Sequence, residues 1–146
     1  ESYVAPQMKK ILEPDGGEVS AQDTGYYLFT EPRRQFALRP DIVCTKGDRV
    51  VIMDTKWKSL IDSERKNYGI SQADMYQMYA YSKKYGTPEI WLLYPLNDEM
   101  RGHSEIKFES GDGTTVRLHF VNVAHIEDSL EELKNKLGKT DVYESF

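Results

Sequence analysis

The pattern of apolar residues along this chain predicts a mixed α/β domain: a central mixed β-sheet flanked by helices, with an added C-terminal hairpin and helix. Three observations carry that prediction. Helical-period stretches open the chain, follow Ser71 and end the sequence after His125. Two apolar, β-branched runs, Asp41 to Thr45 and Val50 to Lys56, flank the turn-like Lys46-Gly47-Asp48-Arg49. Ile90 to Tyr94 is apolar on alternate and intervening positions alike, as in a strand covered on both faces.

Glu1 to Leu12 reads as the first helix, with Tyr3, Val4, Met8, Ile11 and Leu12 at helical spacing, stopped by Glu13-Pro14-Asp15-Gly16-Gly17. Tyr26 to Thr30 and Gln35 to Leu38 are short strands separated by Pro32 and the Arg33-Arg34 pair. They lead into the Asp41–Thr45 and Val50–Lys56 hairpin, so these strands read as one meander. Ser71 is an N-cap candidate for a helix from Gln72 to Tyr85, closed by Gly86 and Pro88. Glu105 to Glu109 and Thr115 to Val121 form a second hairpin around Gly111-Asp112-Gly113. Ile126 to Leu137 is a last amphipathic helix.

The 146 residues suffice for one core, so residues 1–146 are read as a single domain. The chain opens at Glu1 inside a helical pattern and without an initiator Met, which reads as a piece cut from a longer protein. The single cysteine, Cys44, excludes an internal disulfide, suits a reducing, cytoplasmic setting and reads as a small core residue. No apolar run approaches the roughly 20 residues that span a bilayer. The formal charge of −5 argues against a protein that coats nucleic acid, but not against a nuclease, since a few local cations and a bound metal set the field in a groove.

The chemistry concentrates in Leu38-Arg39-Pro40-Asp41-Ile42-Val43 and Val50-Val51-Ile52-Met53-Asp54-Thr55-Lys56. Here three charged groups lie within apolar strand, which is costly unless they pair or hold a cation. Strand alternation puts Asp54 and Lys56 on one face and Thr55 on the other. If Gly47-Asp48 is a two-residue turn, Lys46 pairs with Arg49 and Asp41 falls opposite Asp54. Two neighbouring carboxylates beside an ammonium suit Mg²⁺, with Mn²⁺ as a substitute, and a phosphate oxygen as a further ligand. The plainer alternative is a surface hairpin with a solvated Asp41 and an Asp54–Lys56 ion pair.

These residues resemble a known family. Arg39-Pro40-Asp41-Ile42-Val43, Asp54-Thr55-Lys56-Trp57-Lys58 and Tyr76-Gln77-Met78-Tyr79-Ala80-Tyr81 are similar to the C-terminal nuclease domain of McrC, the cleavage subunit of the McrBC modification-dependent restriction system. That domain is of the PD-(D/E)xK type. The resemblance implies a restriction-endonuclease-like core and a Mg²⁺-dependent endonuclease that hydrolyses DNA phosphodiester bonds. It implies Asp41, Asp54 and Lys56 as catalytic residues, and Gln77 and Tyr81 as the Gln-x-x-x-Tyr helix motif shared with RecB-like nucleases. Glu1 matches a first-helix segment that often carries an acidic metal ligand, beside Asp41 and Asp54. As partners it implies DNA and an AAA+ GTPase motor subunit of McrB type, engaged through a region with no counterpart in this chain.

Gln77 and Tyr81, four apart, share a helical face. Gln77 is expected at the metal site, and Tyr81, Arg39 and Lys58 at DNA. Lys58 falls on the catalytic face if the strand continues past Lys56, while the other basic residues, Arg33 and Arg34 among them, are weaker phosphate-contact candidates. The polar stretch Ser59 to Ile70 is a candidate DNA-contacting loop. His103, His119 and His125 lack metal-ligand spacing and receive no role. A RecB-like exonuclease or a DNA-repair nuclease with the same residues remains an alternative. So does a DNA-binding or assembly module inactive without its motor.

Overall fold

In the computed structural model, which describes residues 3–103 and 105–140, the chain folds as a six-stranded mixed sheet between two helical layers. The elements are α1 (Val4–Leu12), β1 (Glu18–Ala21), β2 (Tyr26–Phe29), β3 (Gln35–Leu38), β4 (Ile42–Lys46), β5 (Arg49–Thr55), α2 (Gln72–Tyr85), β6 (Glu89–Pro95), β7 (Ile106–Glu109), β8 (Thr115–Val121) and α3 (Ile126–Thr140). The strand order is β1-β4-β5-β6-β8-β7. β4 runs antiparallel to both its neighbours, β1 and β5; β5, β6 and β8 are parallel, and β7 closes the edge antiparallel to β8. This architecture is compatible with a restriction-endonuclease-like fold. No helix is long and apolar enough to cross a membrane among the described residues.

The alternation of side chains splits the core in two. On one face Ile42, Cys44, Val51, Met53, Trp91 and Leu93 pack with Val4, Met8 and Leu12 of α1 and Leu130, Leu133 and Leu137 of α3. On the other, Val43, Ile52, Ile90, Leu92 and Tyr94 pack with Met78 and Tyr81 of α2. Both faces of β6 are therefore covered, and its five central residues are buried, as its uninterrupted apolar run predicts. Each fully buried Leu, Ile or Met contributes about 1.5–3 kcal/mol, and the two helical layers are held mainly by this term. Cys44 is buried, and burial pushes its thiol up to about 12, so it stays protonated and inert.

Local signals set the element ends. Gly47 takes a positive φ of 59° in the two-residue turn, and Lys46 pairs with Arg49 across it, the register the turn length predicts. The Ser71 hydroxyl accepts from the Asp74 N–H at the start of α2, and Gly86 closes the helix in the left-handed region.

Three expectations need correction. The segment Glu18–Ala21 forms a strand that the pattern did not announce, because only Val19 in it is even half-buried. Its order comes from pairing with β4 at the sheet edge. β2 and β3 do not join the meander but pair with each other as a separate two-stranded ribbon. β5 ends at Thr55, so Lys56 lies just past the strand.

Candidate active site

The chain reaches the acidic pair through Pro40, which is buried and cannot donate a hydrogen bond. Asp41 follows at the entry to β4, where its carbonyl accepts from the N–H of Gln22 at 2.9 Å, tying it to the end of β1. Extending the β4–β5 register by one step places Asp41 opposite Asp54. The two residues are cross-braced. The Asp41 N–H donates to Oδ1 of Asp54 at 2.8 Å, and Oδ2 of Asp41 accepts from both the N–H and the hydroxyl of Thr55, each at 2.8 Å. Thr55, whose side chain belongs to the opposite sheet face by alternation, thus takes part in the site by clamping Asp41.

Asp54 sits at the carboxyl end of β5, where β5 and β6 run parallel and α2 crosses between them as a βαβ unit. Crevices beyond the carboxyl ends of parallel strands are the usual ligand sites of such sheets. Only 3% of Asp54 is exposed. Burial pushes its carboxyl up to about 6, with the nearby Asp41 charge adding to the rise and hydrogen bonds from Asp41 and Lys56 opposing it.

The Lys56 N–H bonds to the carbonyl of Leu93 at 2.9 Å, which carries the parallel pairing one residue past β5 and fixes where the lysine leaves the sheet. Its ammonium lies 3.1 Å from Oδ2 of Asp54, donates to Oε1 of Gln77 at 3.1 Å and stands 3.5 Å from Oδ1 of Asp74. Burial works to lower the Lys56 pKa, but the Asp54 and Asp74 carboxylates outweigh it and hold the ammonium above its ordinary value. The two carboxylates thus favour the charged form of Lys56, which suits it to stabilising negative charge.

The structure brings Asp41, Asp54, Lys56 and Gln77 together, and adds Asp74. Asp74 is the third residue after the Ser71 cap, in the first turn of α2. The N-terminal turns of α2 lie over the end of β5, and no spacing in the sequence announces that.

Tyr81, expected at DNA, is completely buried, which leaves it no surface for a direct DNA contact. Its hydroxyl has no hydrogen-bond partner, and burial together with the Asp54 and Asp41 charges raises its pKa. The Tyr94 hydroxyl is likewise buried and unpartnered, and is raised by burial and by Asp74 and Asp54. Two phenols therefore line the apolar floor behind the acidic pair.

Lys58 departs from its expected place. The chain turns after β5, with the Lys58 N–H bonded to the Lys56 carbonyl, and the Lys58 ammonium donates to the carbonyl of Gly69 at 2.9 Å. It tethers the 59–70 loop. That loop is further pinned by Asn97 on the Leu60 carbonyl at 2.9 Å and by His103 on Asp62 at 2.8 Å. Arg39 is exposed, two residues before Asp41. Glu1 lies outside the described residues. His119, assigned no role, is buried between the Ser129 carbonyl and the Lys136 ammonium, and burial lowers its pKa to about 4.

The donor set suits a hard divalent cation. Among the described residues no three carboxylate, histidine or cysteine side chains gather around a metal position, and Asp41 and Asp54 are the two carboxylates that could hold one. Mg²⁺ accepts such a set, because it keeps several waters and takes substrate oxygens as ligands. Burial is the main cause of the raised Asp54 pKa, and the Lys56 ammonium 3.1 Å away offsets it only in part.

Comparison with curated proteins returns no match. The family model described as "McrBC 5-methylcytosine restriction system component" matches residues 1–95, which include α1, the acidic pair, Lys56 and all of α2. With about two thirds of its length matched, the chain belongs to the McrBC 5-methylcytosine restriction system component family.

Proposed function

We propose that this domain is the Mg²⁺-dependent endonuclease module of a restriction complex of the McrBC kind, hydrolysing DNA phosphodiester bonds at Asp41, Asp54 and Lys56. The observation that carries the reading is the braced carboxylate pair with a lysine ammonium 3.1 Å from Asp54.

Asp41 and Asp54 would hold the cation through the oxygens not committed to main-chain N–H groups. Bound Mg²⁺ supplies a Lewis acid that lowers the pKa of a water and draws charge from the scissile phosphate. The Thr55 clamp keeps Asp41 oriented, so little reorganisation is needed when the substrate arrives. Lys56 stabilises the negative charge that develops on the phosphate oxygens. Gln77 and Asp74 position Lys56 and compete with the phosphate for its protons. A motor subunit of the McrB type, an AAA+ GTPase, would deliver the DNA, since no phosphate-cradling glycine loop occurs in this chain.

The test is cleavage of methylated plasmid by the assembled complex carrying Asp54→Ala. Loss of cutting with assembly and GTP hydrolysis retained supports the reading. Undiminished cutting refutes it.

A further inference from the structure

The β2–β3 ribbon has no part in the chemistry above, yet it carries two of the most exposed aromatic side chains among the described residues. Phe29 is 57% and Phe36 66% exposed, with their rings edge to face at 5.9 Å. A lone two-stranded ribbon is marginal in water, so exposed rings at its free end need a reason. The backbone adds a second one. Phe36 adopts a φ of 58°, a left-handed conformation that costs a bulky non-glycine residue of order 1–3 kcal/mol, and it interrupts the ladder between the Phe29–Gln35 and Tyr27–Ala37 pairs. The strain turns the ring outward.

The base of the ribbon is anchored. Tyr26 packs on Tyr85 of α2 with centroids 4.3 Å apart, the Tyr85 hydroxyl bonds Asp23, and Leu38 enters the core. Only the tip is unpartnered. Its charge is also distinctive: residues 24–40 hold Arg33, Arg34 and Arg39 against the single acidic Glu31, in a chain whose net charge is −5. All three arginines are exposed, and the Arg34 guanidinium lies 5.7 Å from the Tyr27 ring centre.

We infer that the β2–β3 ribbon engages duplex DNA beside the cut site, with Phe29 and Phe36 as an apolar wedge between base steps and the arginines on flanking phosphates. Apolar wedges accompanied by arginine are how proteins pry open a base step from the minor groove. Charge complementarity favours DNA, since three exposed arginines around the aromatic tip of an otherwise acidic chain suit a polyanion. The reach is right as well. Asp41 lies five positions after Phe36, at most about 17 Å of extended chain, or roughly five base steps. One duplex would therefore touch both wedge and carboxylates.

This inference rests on the DNA reading of the active site, and the experiment separates the two. Binding of this chain to a fluorescent 20-base-pair duplex is measured by anisotropy at low salt for the wild type, Phe29→Ala/Phe36→Asn and Arg33→Ala/Arg34→Ala. Asn tolerates the left-handed region, so Phe36→Asn removes the ring without cost to folding. The aromatic double variant should bind at least 10-fold more weakly with an unchanged melting temperature. The arginine variant should lose about two from the salt slope. Wild-type affinity in the aromatic variant, or no duplex binding by the wild type, overturns the wedge. So does unchanged DNA affinity coupled to loss of self-association, which would make the tip a protein contact. If complexes carrying Asp54→Ala still cut, the catalytic reading fails whatever the ribbon does.

Discussion

The main-chain N–H of Asp41 donates to the carboxylate of Asp54 at 2.8 Å, so the residue that crowds Asp54 electrostatically also holds it in place. The Asp41 charge raises the Asp54 pKa while the hydrogen bond from its backbone lowers it, and burial decides the balance upward, to about 6. The two carboxylates are held close by this bond, and the Lys56 ammonium offsets part of the cost of Asp54's charge.

The first prediction concerns stability. The folded-state pKa of Asp54 lies above its ordinary value of 3.8, so the folded chain binds that proton more readily than the unfolded one. The associated stability is fully present below about pH 4 and is lost as the pH rises through 6. At 1.36 kcal/mol per unit, the loss is on the order of 3 kcal/mol. Asp54→Asn removes the ionisation, so thermal melts in chelator should show the variant as stable as the wild type, or more so, at pH 7.5. Its advantage should shrink toward pH 4.5. A variant more than about 2 kcal/mol less stable at pH 7.5 would instead mark Asp54–Lys56 as a structural ion pair.

Cation binding gives the second. Calorimetric titration with Mn²⁺ or Mg²⁺ should show a site that Asp41→Asn and Asp54→Asn each abolish. Protons compete for Asp54, so the apparent affinity should fall as the pH drops below about 6. Equal binding by wild type and both variants would move the site elsewhere.

Lys56 and Lys58 should behave differently. Lys56→Ala in the assembled complex should lose cleavage by two orders of magnitude or more and keep most DNA affinity, because the ammonium acts on developing charge. Lys58→Ala removes a tether to Gly69 on an exposed loop and should change stability by less than about 1 kcal/mol, leaving cleavage largely intact. A Lys56 variant that loses affinity and cleavage in proportion would recast that residue as a phosphate contact.

This chain alone should cut plasmid DNA poorly even with Mg²⁺. Its net charge of −5 offers no long-range attraction to a polyanion, and the arginines of the ribbon act only at contact. Incubation with Mn²⁺ or Mg²⁺, with Asp54→Ala as control, is the check. Rapid metal-dependent cutting lost in the control would favour a free-standing nuclease over a motor-dependent one.

Sequence alone determined much of this protein, and the reason is local. A two-residue turn at Gly47-Asp48 dictates the β4–β5 register, and that register carries Asp41 to Asp54 without reference to the rest of the chain. The Ser71 cap and Gly86 stop bound α2, and the doubly apolar Ile90–Tyr94 run announces a covered strand. Tertiary structure decided whatever depends on elements distant in sequence. β1 is too short and too exposed to show in the pattern, and exists by pairing with β4. The ribbon left the main sheet because its base found α2 instead. Asp74 reached Lys56, and Tyr81 sank into the core, because α2 crosses over the end of β5 at one angle and height. That placement follows from packing Met78 and Tyr81 against β5 and β6, a fit of side-chain shapes that periodicity does not encode.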